Sequence, residues 1–183
     1  AWGISALGEE DFAELQAGAP SSSGNRAVIA AGTGLGEAGM FWDGRHHRPF
    51  ASEGGHTDFS PNSELEIELW RFLCRRYQHL SWERILSGPG LVNLYEFMRE
   101  YHQATTPTWL VEEMSTGPAA AAISQAALEG RDELCHETLD LFVRLYGVEA
   151  GNQALKVMAT GGVFVGGGMA PKILPALLEG GFL

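Results

Sequence analysis

The chain has 183 residues, enough for one sizeable hydrophobic core and too few for two full domains. Its 45% hydrophobic and 19% charged residues are ordinary for a folded protein and argue against disorder. Acidic residues outnumber basic ones 23 to 12, no Lys/Arg stripe is present and no run of 18 apolar residues occurs, so neither nucleic-acid binding nor a membrane span is predicted.

The first 51 residues predict a helix, a loop and three strands. Residues 1 to about 16 have an apolar helical pattern, and residues 17–25 are rich in Gly, Pro and Ser, which favour loops. Strands are expected at 26–31, 35–42 and 46–51. Asp43-Gly44 is the hairpin signal between the last two strands.

Helices are predicted to dominate from Ser63 onward. Ser63 and Glu66 have the spacing of a capping box, and the helix they begin carries an apolar stripe of Leu65, Leu69, Phe72 and Leu73. Ser81 is expected to cap a short helix, and further helices are expected at 87–102, 118–130, 132–159 and 169–178, with a buried strand at 163–165. The inward side of the long helix is expected to carry Leu134, Leu141, Phe142, Leu145, Leu155 and Met158.

The two cysteines, Cys74 and Cys135, lie inside helical patterns with apolar neighbours. A metal or redox site would show closely spaced pairs such as C-x-x-C, which the chain lacks. The sequence therefore predicts two buried free thiols in a cytoplasmic protein.

Two glycine-rich turns each follow an apolar strand. The first contains Gly32, Thr33, Gly34 and Gly36, and the second contains Gly166, Gly167 and Gly168 ahead of a predicted helix. Bare backbone N–H groups and helix N-termini favour anionic ligands. Neither turn has the Lys of a Walker A loop, and the first lacks the third glycine of the dinucleotide fingerprint. On its own, the first turn is better explained as a tight β-hairpin turn, because such turns are common and an isolated glycine motif is a weak signal.

The polar segment after the strands places Glu53 and His56 three residues apart, with two glycines between them and Asp58 nearby. Two such side chains are too few for a metal site, so no metal ligand is assigned. A carboxylate that accepts from adjacent hydroxyls, beside an imidazole, would suit a sugar ring, and a structural hydrogen bond of His56 is the alternative.

Three segments together resemble the bacterial glucokinase family, of the zinc-free group within the actin-like ATPase superfold. These are "AAGTGLGEAGMFWDGRHHRPFASEGGHTDFSPNSELE", "ERILSGPGLVNLY" and "GGVFVGGGMAPKIL", which occur in family order between about residues 26 and 182. The resemblance implies an α/β large lobe with a mixed β-sheet flanked by helices and an inserted helical segment around 63–130.

The resemblance also implies a reaction and a set of site residues. The reaction is transfer of the ATP γ-phosphoryl group to the 6-hydroxyl of glucose, with Mg²⁺ on the phosphates, as the first step of glycolysis. Glu53, His56 and Glu83 match the glucose-binding residues. The first glycine turn matches the second phosphate loop, and the glycines at 166–168 match the adenosine motif. A homodimer is left open as the assembly.

Two pieces of the family pattern are not found in this sequence, namely an N-terminal phosphate loop and a catalytic aspartate, which is expected just upstream of Ala1. The chain is therefore expected to be the large C-terminal lobe, without the N-terminal lobe and the extreme C-terminus, and to be inactive alone. A non-catalytic sugar sensor of the same fold fits the same pockets. A glycosidase that uses Glu53 and Glu83 as its carboxylate pair is disfavoured, because its chemistry has no use for two nucleotide-type turns.

Overall fold

The computed structural model describes residues 1–18 and 23–182 of the chain. Its sheet has the strand order β3-β2-β1-β4, in which β1, β2 and β3 form an antiparallel meander and β4 pairs with β1 in parallel. The strands are β1 (Arg26–Ala31), β2 (Leu35–Trp42), β3 (His47–Ser52) and β4 (Val163–Gly166). The three meander strands confirm the sequence prediction to within one residue at each end.

The β2–β3 connection is the predicted Asp-Gly hairpin. The Asp43 carboxylate accepts hydrogen bonds from the backbone N–H groups of Arg45 and His46 at 2.9 and 2.8 Å, and Gly44 has a φ of +94°. That positive φ is strained for residues with a side chain, which explains the glycine.

Six α-helices occur in the described ranges, and all but α3 were predicted in some form. They are α1 (Glu64–Cys74), α2 (Gly88–Tyr101), α3 (Thr108–Thr116), α4 (Ala119–Leu128), α5 (Glu133–Val157) and α6 (Leu174–Leu178). The Ser63 hydroxyl accepts from the N–H of Glu66 at 3.3 Å, as a capping box requires. The Glu66 carboxylate, however, accepts from the N–H of Asn62 and pairs with Arg144 of α5, so it ties two helices together.

The core lies between the sheet and the helices α2, α4 and α5, where α5 contacts β1 directly. Of the residues predicted to face inward on α5, Leu141, Phe142 and Leu145 are buried. Leu155 and Met158 are 83% and 73% exposed, so their prediction was wrong. The last turn of α5 runs past the edge of the core, which the helical period alone does not reveal.

Cys135 is buried as predicted, but Cys74 is exposed, because it ends α1 on the side away from the core. The strand predicted at 163–165 extends to Gly166, and it was predicted to be buried, yet Val163 is 39% exposed. In the described sheet β4 is an edge strand with β1 on one side only, which accounts for the difference.

The predicted N-terminal helix is wrong: residues 2–6 and 9–11 form two short 3-10 helices. Gly3 and Gly8 lower helix propensity here, and the chain between the two pieces is extended at Leu7. Part of the predicted loop at 17–25 lies outside the described residues. The predicted short helix at Ser81 is a 3-10 turn over Trp82–Arg84, and the Ser81 side chain does not cap it.

The helix predicted at 169–178 is divided into a 3-10 turn at Ala170–Lys172 and the short α6. Pro171 and Pro175 lie in the first turns of these two pieces, and a proline removes a backbone donor from a continuous helix. No helix in the described ranges is both long and apolar enough to cross a membrane.

Candidate functional site

The two glycine-rich turns lie side by side. Because β1 and β4 are parallel neighbours, the turns that follow them leave the sheet at the same edge. The N–H of Met169 donates to the carbonyl of Ala31 at 3.1 Å. Gly167 has a φ of +85°, and a Cβ atom there would clash with that same carbonyl, so only glycine fits.

The hydroxyl of Tyr146, on α5, contacts the C-terminal ends of both β1 and β4. Its hydroxyl accepts from the N–H of Ala31 at 3.0 Å, and it lies 3.4 and 3.3 Å from the carbonyls of Ile29 and Gly166. The side chain is fully buried, and burial raises the pKa of its hydroxyl to about 12. Tyr146 therefore stays neutral and holds the strands at a fixed separation. The helical pattern of α5 gave no signal for this role.

The N-terminus of α2 closes the third side of this site. The Ser87 hydroxyl caps the helix by accepting from the N–H of Gly90 at 3.0 Å, and the N–H of Gly88 donates to the carbonyl of Gly32 at 2.7 Å. The turn itself is tight, with a hydrogen bond of 2.8 Å from the N–H of Gly32 to the carbonyl of Gly34. Thr33, at the tip of the turn, is exposed. The N–H groups of Gly32, Gly88 and Gly90 are thus engaged within the protein, and what favours an anion here is the dipole of α2 beside a backbone without side chains.

A cavity of about 460 Å³ opens beside the two turns. Its walls come from the glycine turns, the start of α2, the start of α4 and the segment after β4, and they include Gly32, Thr33, Val92, Ala120, Gly168 and Met169. The lining is largely small or apolar, and Lys172 is its charged member. Such a cavity suits a flat apolar group next to an anion.

Glu83 connects this region to the predicted sugar-binding residues. Its Oε2 accepts a hydrogen bond from the N–H of Leu35 at 3.1 Å, directly after the first glycine turn. A Cβ atom on Gly34 would collide with the same carboxylate. The absence of a side chain at Gly34 therefore allows the Glu83 carboxylate to lie against the turn, which explains one of the glycines of the sequence motif.

His56 lies between two carboxylates. Its Nδ1 is 3.9 Å from Oε1 of Glu83, and its Nε2 is 3.8 Å from Oε2 of Glu53. Both distances exceed a hydrogen bond, so these polar atoms keep capacity for a ligand. The Glu83 side chain is 27% exposed and fixed by Leu35, whereas that of Glu53 is 91% exposed. The structure thus brings together the three side chains that the sequence singled out.

Backbone contacts explain how residues 30 positions apart in sequence meet. An antiparallel bridge pairs Asp58 with Ser81, and the N–H of Trp82 donates to the carbonyl of Thr57 at 3.1 Å. Gly55 packs so closely on the backbone of Leu35 that a Cβ atom would not fit. The 53–56 turn and the 80–83 segment are therefore both held against the start of β2.

Other polar residues near the motif lie outside this cluster. The Asp58 carboxylate contacts His79 at 2.8 Å, and His47 contacts the carbonyl of Gly24 at 2.9 Å. Across residues 1–18 and 23–182, no three His, Cys, Asp or Glu side chains are placed to hold a metal ion.

One buried acid beneath the cluster was missed by the sequence reasoning. Glu37 is 5% exposed, and burial, followed by the charge of Glu149, raises its pKa to about 7. The strand period could have identified it, because Glu37 lies on the same face of β2 as buried Leu35.

The chain is similar in sequence and in fold to known proteins. The Glucokinase family profile matches residues 1–183. The chain is 43% identical over 196 residues to a glucokinase of Nostoc punctiforme, covering all of this chain and 57% of that protein, and 44% identical to one of Synechocystis sp., with 100% and 55% coverage. The chain therefore spans a little over half the length of these relatives.

A solved structure shows the same arrangement of elements. The glucokinase from an Antarctic psychrotroph superposes with a TM-score of 0.84 at 33% identity, covering 97% of this chain and 52% of that one. A ROK family glucokinase from Streptomyces griseus, solved with glucose and AMPPNP, shares the fold at 21% identity, with a TM-score of 0.56 and coverage of 88% and 51%. The mixed sheet with flanking helices thus has the actin-like ATPase fold. On the family match and the identity to its relatives, the chain belongs to the glucokinase family.

Proposed function

We propose that this chain carries the sugar- and nucleotide-binding lobe of an ATP-dependent glucokinase, which transfers the γ-phosphoryl group of ATP to the 6-hydroxyl of glucose. The observation that carries the proposal is the contact between Glu83 and the N–H of Leu35. This contact supports the proposal, because Glu83, which we assign to the sugar, lies against the turn that we assign to the phosphates, and phosphoryl transfer requires the two ligands to be adjacent.

The sugar would lie over Glu53, His56 and Glu83. Oε1 of Glu83 faces His56 and is available to a ring hydroxyl, while Oε2 is held by Leu35. Glu53 is exposed and free to close on a second hydroxyl, and His56 lies between the two carboxylates. Such a clamp would orient the 6-hydroxyl of the sugar toward the phosphates. Correct orientation of the reacting groups lowers the activation barrier of the transfer by about several kcal/mol.

The nucleotide would lie along the two glycine turns. The phosphates would lie over Gly32, Thr33, Gly34 and Gly36, where the dipole at the N-terminus of α2 favours anions and the glycines let them approach the backbone. The adenosine would lie by Gly166, Gly167 and Gly168 and enter the cavity of about 460 Å³. Mg²⁺ would bind together with the ATP phosphates and neutralise part of their charge. We assign it no ligand from this chain.

The catalytic base is proposed to lie outside these 183 residues, because Glu53 and Glu83 are both assigned to ring hydroxyls. We therefore expect the chain alone to have no useful kinase activity. The proposal also includes a cytoplasmic location and a role in the first step of glycolysis. It includes a homodimer as the assembly.

Binding gives the sharpest test, since it needs only residues that the chain contains. Glucose and a non-hydrolysable ATP analogue are titrated into the chain by calorimetry, with Glu53→Gln as the site variant. Glu112→Gln on α3 is a matched control, because Glu112 is also an exposed glutamate and α3 contributes no residue to the walls of the cavity. Loss of glucose binding only in Glu53→Gln supports the sugar site, and equal binding by both variants contradicts it.

Catalysis is tested by a coupled assay of the chain with ATP and glucose. We expect binding without turnover. Turnover close to that of a full-length glucokinase would contradict the assignment of the base to a segment outside the chain. If a longer chain that includes the upstream segment binds both ligands and still shows no turnover, the sugar-sensor alternative is favoured.

A further inference from the structure

Glu37 is a buried acid that the proposed reaction does not use. It lies on β2 opposite Ile29 of β1 and Ser52 of β3. Both of its carboxyl oxygens are buried, and neither has a hydrogen-bonding partner among the donors of the described residues. An ionised carboxylate in such a place would cost several kcal/mol, so a carboxyl group here is expected to hold its proton.

The neighbour that can share this proton is Glu149 of α5, which is itself fully buried. Two carboxyl groups form a hydrogen bond only when one of them is protonated. Glu149 receives a hydrogen bond from Nδ2 of Asn152 at 2.8 Å and pairs with Nζ of Lys156 at 3.0 Å. Glu149 thus has donors to its carboxylate and Glu37 has none among the described residues, so we assign the shared proton to Glu37.

The same carboxyl group supports the sugar-binding turn. A Cβ atom on Gly54 would collide with Oε2 of Glu37, so the glycine backbone rests directly on the acid. Gly54 is buried, and its N–H donates to the Ser52 hydroxyl at 2.9 Å. The 53–56 turn therefore lies directly against Glu37, with Glu53 and His56 at its two ends.

We propose that Glu37 is a positioning residue, whose neutral carboxyl group, hydrogen-bonded to Glu149, holds the 53–56 turn in place for sugar binding. This inference rests on the proposed function. When Glu37 loses its proton, its carboxylate lies beside that of Glu149, and both are buried. An unsolvated negative charge then lies against the backbone of Gly54. The turn then moves away from β2, and the clamp of Glu53 and His56 opens.

The charged groups that act on Glu37 both belong to α5. Glu149 opposes its ionisation, and Lys156 favours it. The other elements in contact contribute the uncharged Ile29 from β1, Ser52 from β3 and Gly54 from the turn. The titratable groups of the turn, Glu53 and His56, lie at its two ends with side chains that are 91% and 58% exposed. The balance raises the pKa of Glu37 to about 7, so its protonation changes in the neutral range.

The test compares glucose binding by the unmodified chain and by Glu37→Gln at about pH 6 and about pH 8. The amide of Gln has the shape of a neutral carboxyl group and can donate to Glu149. One pH unit above a pKa about a tenth of a group is protonated, so the dissociation constant of the unmodified chain is expected to rise about tenfold between these pH values. Glu37→Gln is expected to bind equally well at both, apart from any effect of His56, which both proteins share. The same pH dependence in both proteins overturns the inference.

Two further measurements keep the outcome interpretable. Glu149→Gln removes the charge that opposes ionisation, so its pH transition is expected at a lower pH; an unchanged midpoint contradicts the proton sharing. The amide NMR signals of Gly54 and Gly55 report the turn without sugar and are expected to titrate near neutral pH in the unmodified chain and to stay constant in Glu37→Gln. If no protein binds glucose, the proposed sugar site fails, and these amide signals still support or overturn the role of Glu37.

Discussion

The Glu83 carboxylate accepts a hydrogen bond of 3.1 Å from the backbone N–H of Leu35, the first residue of β2. Through this contact the 80–83 segment and the glycine turn at 32–34 share one fixed geometry. A ligand that shifts the 80–83 segment is expected to shift the glycine turn as well, and the reverse, because the charged hydrogen bond between Glu83 and the Leu35 backbone joins them. The segments proposed to bind the sugar and the nucleotide are therefore expected to move together.

Glu83→Gln is expected to weaken glucose binding by about tenfold or more, equivalent to roughly 1.4 kcal/mol. The amide oxygen can still accept from Leu35, so the turn keeps its shape. The variant loses the negative charge that strengthens a hydrogen bond from a ring hydroxyl. Calorimetric titration with glucose measures the change, while an unchanged ATP-analogue affinity shows that the turn is intact. Undiminished glucose affinity would remove Glu83 from the sugar site.

Gly34→Ala is expected to weaken the binding of both glucose and the ATP analogue. The added Cβ atom collides with the Glu83 carboxylate, so the hydrogen bond to Leu35 and the turn cannot both persist. Gly151→Ala on α5 is the matched control, since a Cβ there meets no atom within 4 Å. That control is expected to bind normally and to gain roughly 0.5 to 1 kcal/mol of stability, because alanine favours a helix. Normal binding by Gly34→Ala would show that the contact is not needed.

Tyr146→Phe is expected to lower the free energy of unfolding by about 1 to 3 kcal/mol, because the buried N–H of Ala31 loses its acceptor. ATP-analogue affinity should fall as well, since the hydroxyl also lies by the carbonyl of Gly166 at the second turn. Urea denaturation measures the first effect and calorimetry the second. Tyr101→Phe, at a half-exposed tyrosine, is expected to change neither. Equal stability of the two variants would contradict the bridging role.

The stability of the chain is expected to fall between about pH 4.5 and about pH 7 because of Glu37. Its pKa is raised from 4.5 to about 7 in the folded state, so over this range the folded chain holds a proton that the unfolded chain has lost. The contribution is complete below pH 4.5 and is lost as the pH passes 7, with a total of up to about 3 kcal/mol.

Urea denaturation of the unmodified chain and Glu37→Gln across this range isolates that contribution from the other titrating groups. As the pH rises, the unfolding free energy of the unmodified chain should fall relative to that of Glu37→Gln. A difference that is constant with pH would show that Glu37 is ionised throughout.

The sequence by itself determined the local elements and the chemical types at the site. The alternating apolar pattern and Asp43-Gly44 define the meander, because strand period and turn chemistry act over a few residues. The motif around Glu53 and His56, the glycine turns and Glu83 resemble the sugar- and nucleotide-binding segments of the glucokinase family, and their roles stay predictions. The end of α5 was misjudged at Leu155 and Met158, because helical period gives the face of a helix and not the extent of the core that covers it.

Only the tertiary structure decided which of these segments meet. The bridge between Asp58 and Ser81 and the parallel pairing of β1 with β4 bring together residues far apart in the chain. Neither contact leaves a signal in a single sequence, since both depend on long-range packing. The same holds for Glu37, whose proton is determined by Glu149, 112 positions away, and by the exclusion of water from both. Burial and charge proximity arise only when the chain folds, and they convert an ordinary glutamate into a neutral support for the sugar-binding turn.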